Sequence, residues 1–334
     1  MKAIQLKSFD LIEENPLEYV DIEVPEPGEG EILVRVKICG VCHTDLHTVE
    51  GELPKAKLPV IPGHQIVGVV EKRGKGAERF QIGERVGAAW LYSACGKCVY
   101  CRRDKENLCK SAQFTGYDVD GGYAEYFVVP EKFAYSIPDV FEDEEASPLL
   151  CAGIIGFRAL RLSEIKPHQR LALIGFGASA HVAIQVALHW GCEVYVYSRS
   201  KEHREHAENL GASWTGTADQ DPPCKVDSVV NFTPAGETVL DGMRILDKGG
   251  TQACAGIYMT PIPEMDYNKY LYHERTLRSV ANATRLDGEE LLRTAAEIPI
   301  KTTTTPFPLK DANKALKMVK HSELDGAAVL RISE

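Results

Sequence analysis

Four cysteines in one short stretch, Cys95, Cys98, Cys101 and Cys109, are the residues whose spacing most directly dictates chemistry. Their C-x2-C-x2-C-x7-C pattern lets a single loop gather four thiolates around one ion, the closed tetrahedral arrangement of a structural zinc. A bacterial iron–sulfur run begins similarly, but it has three residues before its fourth cysteine and a proline after it, and neither occurs here. Four thiolates around a divalent ion keep a net negative charge, which Lys97, Arg102, Arg103, Lys105 and Lys110 in or beside the loop offset. A filled coordination sphere has no position for a substrate, so this site is expected to stabilise the fold.

A second pattern points to a nucleotide. The apolar run Leu171 to Ile174 is followed by Gly175-Phe176-Gly177-Ala178-Ser179-Ala180, a Gly-x-Gly-x-x-Ala turn that opens a helix. The first glycine allows the tight turn, the second lets backbone approach a diphosphate, and the small Ala180 lets helix and strand pack closely. The helix N-terminus then offers free amides and positive dipole potential to the phosphates. After the next strand, where NAD sites place a carboxylate on the adenine ribose, stands Ser198-Arg199-Ser200. A guanidinium between two hydroxyls suits a 2′-phosphate, so NADP(H) is expected to be preferred, with NAD(H) possible.

Cys42, His64 and Cys151 form a third, dispersed candidate set. Two cysteines and one histidine match an open catalytic zinc that leaves a fourth position exchangeable, although spacing alone does not separate these three from the other thiols and imidazoles. Cys39, Cys192, Cys224 and Cys254 read as small buried residues or inert thiols.

The elements that must carry these residues follow from texture. A chain of 334 residues exceeds what one core usually serves, at ~150 residues per domain. Residues 1–150 contain short β-like runs such as 31–36 and 65–71, broken by Pro and Gly, and predict a β-rich domain holding the zinc loop 95–109. An acidic run from Glu142 leads into a predicted helix over Ala146 to Leu162. Residues 151–287 then alternate strand and helix: strands at 171–174, 194–197, 226–230 and 250–255, and helices at about 178–190, 201–210 and 239–246. That alternation predicts an α/β domain, a doubly wound parallel sheet covered on both faces. Residues 288–334 end in a helix over Asp311 to Lys320 and a strand over Ala328 to Ile332.

Lys plus Arg number 38 and Asp plus Glu 48, a net charge of −10, which disfavours nucleic acid and anionic membranes as partners. No apolar run approaches the ~20 residues of a membrane span. Met1 to Lys7 alternates like a strand and lacks a signal peptide's apolar core. A cytoplasmic protein is expected, in which clustered cysteines serve metal better than disulfides.

With Cys42-His43-Thr44-Asp45, Gly63-His64-Gln65-Ile66-Val67-Gly68, the four-cysteine loop and a late dinucleotide fold in this order, the chain resembles the zinc-dependent alcohol dehydrogenases of the medium-chain dehydrogenase/reductase superfamily over essentially its whole length. The resemblance implies a GroES-like catalytic domain, a Rossmann domain and a C-terminal segment that returns to the catalytic domain. It marks Cys42, His64 and Cys151 as ligands of a catalytic zinc and Cys95, Cys98, Cys101 and Cys109 as those of a structural one, two ions per chain. It further implies that Thr44 touches the substrate oxygen and that His47 ends a proton relay. Asp45 would orient the His64 ring, as metal-bound imidazoles require, His43 would lie near the cofactor diphosphate, and Trp90 would wall the substrate pocket. A homodimer or homotetramer is also implied.

Three departures accompany the likeness. Gln65 replaces the Glu that commonly follows the ligand His. Ala327 occupies the place where many relatives carry a diphosphate-binding Arg, with Arg331 farther along, and Ala180 replaces a frequent Gly. The implied reaction interconverts alcohols, primary ones being favoured by Trp90, with aldehydes or ketones by hydride transfer. Two other readings of the sequence stand beside it: a zinc-free type of quinone or enone reductase, and a zinc-stabilised binding protein without activity.

Overall fold

The computed structural model describes residues 1–53, 56–298, 300–324 and 326–333. The chain divides into two units, one formed by Met1–Cys151 with Thr284–Glu334 and the other by Ala152–Ala283. The second crossing therefore falls between Ala283 and Thr284, whereas the sequence reading placed a boundary at 287/288.

In the first unit, the long strand Glu31–Val41 organises a seven-stranded sheet. It pairs antiparallel with Gln65–Arg73, Tyr126–Pro130 and Ala327–Arg331. Strand Ala327–Arg331 in turn pairs in parallel with Thr304–Pro308, so the last part of the chain extends the sheet begun by the first. Glycine is required where strands close up: a Cβ on Gly68 would lie 2.3 Å from the Arg35 carbonyl oxygen. One apolar core joins Ile32, Val34, Ile66, Val86 and Phe127 to Phe307, Leu316 and Leu330 from the C-terminal segment.

The second unit is a six-stranded parallel sheet in the order Trp214–Gly216, Glu193–Tyr197, Arg170–Ile174, Val226–Asn231, Leu246–Cys254 and Thr276–Ser279. Strands Arg170–Ile174 and Glu193–Tyr197 are apolar and buried but for their first residues, as strands covered by helices on both faces are. Helix Ala178–His189 buries six of its twelve residues, among them Val182, Ile184 and Val186. It packs so closely on helix Ile154–Leu162 that a Cβ on Gly156 would lie 2.5 Å from the Ser179 carbonyl oxygen. The expected helix from Ala146 to Leu162 is instead two helices, Asp143–Pro148 and Ile154–Leu162, separated by one π-helical turn, Leu149–Gly153. Such turns re-aim side chains and recur at functional sites. Among the described residues no helix is long and apolar enough to cross a membrane.

Candidate active site and metal centres

In the first unit, the four loop cysteines come together with all ligand sulfurs within 4.8 Å of one another. The separations are 3.9 Å for Cys95 to Cys101 and 3.5 Å for Cys98 to Cys101. Two single-turn helices, Cys101–Arg103 and Glu106–Leu108, fold the seven-residue spacer so that Cys109 returns to the other three. The Cys109 amide donates to the Glu106 carbonyl at 3.0 Å, and the Ser111 amide donates to the Cys109 sulfur at 3.4 Å. Backbone amides of Lys97 and Cys98 donate to the Cys95 sulfur and pull its thiol below the ordinary range, toward the thiolate that binds metal.

The dispersed trio also converges. The sulfurs of Cys42 and Cys151 lie 3.5 and 3.3 Å from Nε2 of His64. Bonds of about 2.3 Å to sulfur and about 2.0 Å to nitrogen at tetrahedral angles require roughly 3.5 Å between them, so this donor set fits one zinc. Each of the three owes its place to a separate element. Cys42 is the N-cap residue of helix His43–Val49, where strand Glu31–Val41 ends. His64 precedes strand Gln65–Arg73, and Cys151 sits in the π turn.

Asp45 joins two of these three residues. One carboxylate oxygen accepts from His64 Nδ1 at 3.0 Å and the other from the Cys42 amide at 2.9 Å. His64 is 1% and Asp45 2% exposed. Burial lowers the pKa of His64, but the Asp45 carboxylate and Cys42 outweigh it and raise the imidazole to about 10 in the metal-free protein. With Nδ1 committed to Asp45, Nε2 faces the two sulfurs.

Trp90 stands edge-on to the His64 ring at 5.0 Å between centroids and stacks on Phe114 at 5.3 Å, with Tyr117 beside it at 5.7 Å. Thr44 is partly exposed on the first helical turn. His47 lies one turn later, and its Nδ1 is hydrogen-bonded to the Glu52 carboxylate. His43 is exposed. Gln65 is buried, and its Nε2 has no hydrogen-bonding partner among the described residues. Ala327 opens its strand, while Arg331 is tied to Glu144 at 2.5 Å.

In the second unit, the Gly175 to Ala180 turn joins strand Arg170–Ile174 to helix Ala178–His189. Gly175 has φ +84°, in the left-handed region that favours glycine. A Cβ on Gly177 would meet nothing within 4 Å, so the approach to the backbone there is open. Ala180 is fully buried against the sheet. The Gly175 amide donates to the Tyr197 carbonyl at 2.8 Å, linking this turn to the strand that ends at Ser198-Arg199-Ser200. Arg199 is exposed, and Ser200 caps helix Lys201–Leu210 by accepting from the His203 amide. Sequence reasoning missed Arg204, which donates through Nη1 to the carbonyls of Ser198, Arg199 and Ser200 at 2.6, 3.0 and 3.3 Å. It lies four residues beyond the capping serine, where an arginine can fold back over the turn.

Together the two units define a dehydrogenase that couples a GroES-like β domain to a nucleotide-binding parallel sheet. The profile of the alcohol dehydrogenase GroES-like domain matches residues 28–139, and that of the zinc-binding dehydrogenase domain matches 180–297. The chain is 45% identical to a probable alcohol dehydrogenase, AdhA, of Mycobacterium tuberculosis, over 99% of this chain and 97% of that one. It is 36% identical to an alcohol dehydrogenase of Geobacillus stearothermophilus, over 99% and 100%. A cobalt- and zinc-bound thermostable alcohol dehydrogenase from Pyrobaculum aerophilum superposes with a TM-score of 0.88 at 28% identity, covering 99% of each chain.

The chain belongs to the zinc-dependent alcohol dehydrogenase family of the medium-chain dehydrogenases/reductases. It is accordingly an NAD(P)-dependent oxidoreductase of alcohols and their carbonyl counterparts.

Proposed function

We propose that this enzyme interconverts primary alcohols and aldehydes with NADP(H), working chiefly as an aldehyde reductase, with a catalytic zinc on Cys42, His64 and Cys151 and a structural zinc on Cys95, Cys98, Cys101 and Cys109. The observation that carries the reading is the approach of the Cys42 and Cys151 sulfurs to within 3.5 Å of His64 Nε2 while Asp45 occupies Nδ1. When bound, the ion supplies Lewis acidity to a substrate oxygen and the nicotinamide supplies or accepts the hydride.

The chain's own residues do the rest. Asp45 holds the imidazole of His64 in the tautomer that presents a bare Nε2. Thr44 exchanges the proton of the substrate hydroxyl, and His47 carries it onward. Because Glu52 engages Nδ1 of His47, Nε2 is the nitrogen left for that exchange. The indole of Trp90, held flat by Phe114, narrows one side of the pocket and favours unbranched reacting carbons. Gly175 makes the tight turn, Gly177, Ala178 and Ser179 present amides to the diphosphate, and Ala180 allows the close packing that brings them there. His43 contributes an imidazole from the start of its helix. Ser198, Arg199 and Ser200 receive the 2′-phosphate. A carboxylate in that position would repel it, and charge-assisted hydrogen bonds to an arginine contribute ~1.5–3 kcal/mol each.

Steady-state kinetics over short, branched and aromatic aldehydes with both reduced cofactors, together with metal content per chain, test this reading. The expected result is two zinc ions per chain and kcat/KM at least about tenfold higher with NADPH, the equivalent of one such hydrogen bond. Equal efficiency with NADH would remove the assignment of Ser198-Arg199-Ser200. One ion per chain would remove the catalytic site.

A further inference from the structure

Tyr123 is fully buried, and its hydroxyl has no hydrogen-bonding partner among the described residues. Neither the sequence reading nor the function proposed above uses it. Its surroundings are nevertheless those of the three-ligand site. The segment Gly121 to Tyr123 lies along Ile61 to Gly63 as a short zipper. Gly121 donates to Ile61 at 2.7 Å, Gly122 to Gly63 at 2.9 Å and Tyr123 to Pro62 at 3.0 Å. This pairing ends one residue before His64.

The ring is wedged against the same turn. Gly63 has φ +96°, and a Cβ there would fall 2.3 Å from Cδ1 and 2.6 Å from Cε1 of Tyr123, and 2.8 Å from the Cys39 sulfur. Only glycine therefore accommodates both the backbone conformation and the aromatic ring beneath the residue that leads into His64. Asp45, also buried, holds the ring of His64, the residue that follows Gly63, and a phenol O–H is a donor. Asp45 has capacity to accept it: each oxygen already takes one hydrogen bond, from His64 and from the Cys42 amide, and a carboxylate offers about four acceptor sites. A buried hydroxyl left without a partner is costly, and in native proteins such groups are almost always paired.

We propose that Tyr123 is a positioning residue of the three-ligand site: its hydroxyl donates to Asp45, completing a Tyr123–Asp45–His64 chain, while its ring fixes the turn from which His64 projects. Tyr123 does not touch substrate or metal; it acts through Asp45. The inference rests on the reading of Cys42, His64 and Cys151 as metal ligands.

The test separates hydroxyl from ring. Tyr123→Phe keeps the wedge at Gly63 and removes only the donor. Zinc release from the holoenzyme to a chromophoric chelator is followed for wild type, Tyr123→Phe, Asp45→Asn and the double variant, and the cobalt-substituted proteins give the ligand-field spectrum of the site. In Tyr123→Phe, one of the two ions should leave about tenfold faster, at the low end of the 10- to 100-fold effects of groups behind metal ligands. The four-cysteine ion should be retained as in wild type and the cobalt bands should shift. In the Asp45→Asn background the same change should add less than in wild type, because asparagine keeps only one, neutral acceptor oxygen and the charge-assisted bond is gone.

Release rates and cobalt bands identical to wild type in Tyr123→Phe, while wild type carries two ions, would overturn this inference and leave the metal site standing. A wild-type protein that holds only the four-cysteine ion would overturn the metal site and the inference with it.

Discussion

Replacing Asp45 with asparagine probes the candidate catalytic site most sharply, because the change conserves shape and alters only what two oxygens can do. The native carboxylate accepts twice, from His64 Nδ1 at 3.0 Å and from the Cys42 amide at 2.9 Å. An asparagine has one acceptor oxygen and one NH2 group. If the oxygen faces His64, the NH2 confronts the Cys42 N–H as donor against donor; if the amide flips, it confronts the Nδ1 hydrogen instead.

One buried donor is thus left unsatisfied in either orientation, at a cost of ~1–3 kcal/mol; where that donor is the Cys42 amide, the bond lost is also the one that caps helix His43–Val49. The cost falls on Cys42 and His64, the two residues that Asp45 joins. Expressed as metal affinity, ~1–3 kcal/mol is about 5- to 150-fold, which brackets the 10- to 100-fold range of such partners. Competition against a chelator of known zinc affinity, with the four-cysteine ion as internal reference, measures it. A variant that holds both ions as tightly as wild type would refute the claim that Asp45 fixes the geometry of the trio.

Four further outcomes follow from the same geometry. Cys42→Ser should abolish turnover with little change in the unfolding midpoint, whereas Cys98→Ser should chiefly lower the midpoint, since a structural zinc contributes folding free energy; equal effects on both quantities would mean the two sites are misassigned. Arg199→Asp should raise the Kd for NADPH by tenfold or more, roughly the loss of one charge-assisted hydrogen bond, and leave NADH nearly unchanged; fluorescence titration with each cofactor would expose an unaltered preference.

Glu106 accepts from the backbone and Nε of Arg285 at 3.1 and 3.2 Å and is 6% exposed, while the arginine side chain is 39% exposed. Glu106→Ala should therefore cost about 1.5–3 kcal/mol, less than a fully buried pair, read as a fall of several degrees in the unfolding midpoint; no fall would deny that the zinc loop is bolted to the return of the chain at Thr284. Finally, zinc uptake by metal-free protein should release at least two protons per ion at pH 7. His64 is raised to about 10 by Asp45 and Cys42 against the pull of burial, and the Cys42 thiol is raised by its hydrogen bond with Cys151 and by burial, so both are protonated until metal displaces the protons. Affinity should accordingly rise with pH through the neutral range, and calorimetry in buffers of different ionisation enthalpy would count the protons.

What could be read from the chain in advance divides by distance along it. The four-cysteine loop and the Gly175 to Ala180 turn are local, and each puts its donors on one short segment, so spacing alone conveys the chemistry. Cys42, His64 and Cys151 come from the end of a strand, the start of another and a π turn, and only the pairing of strands Glu31–Val41 and Gln65–Arg73 with the packing of that turn joins them. Spacing had no means to select them, and likeness to a family did.

The missed elements have the same explanation. Strands Trp214–Gly216 and Thr276–Ser279, three and four residues long, are too short to show alternation and exist as additions to a sheet already formed. Helix Arg285–Glu297 did carry a readable signal, the Thr284 and Asp287 capping box, but Gly288 interrupts its helical texture for a reason found only in three dimensions: a Cβ there would lie 2.5 Å from the Tyr135 ring. Tyr123 follows the same logic. No spacing connects it to Asp45, and Gly63, which reads in sequence as an ordinary turn residue, is glycine because that ring must pass beneath it. Local chemistry thus states what this enzyme can bind, while the precision with which His64 is aimed depends on residues whose purpose appears only once the sheet has brought them together.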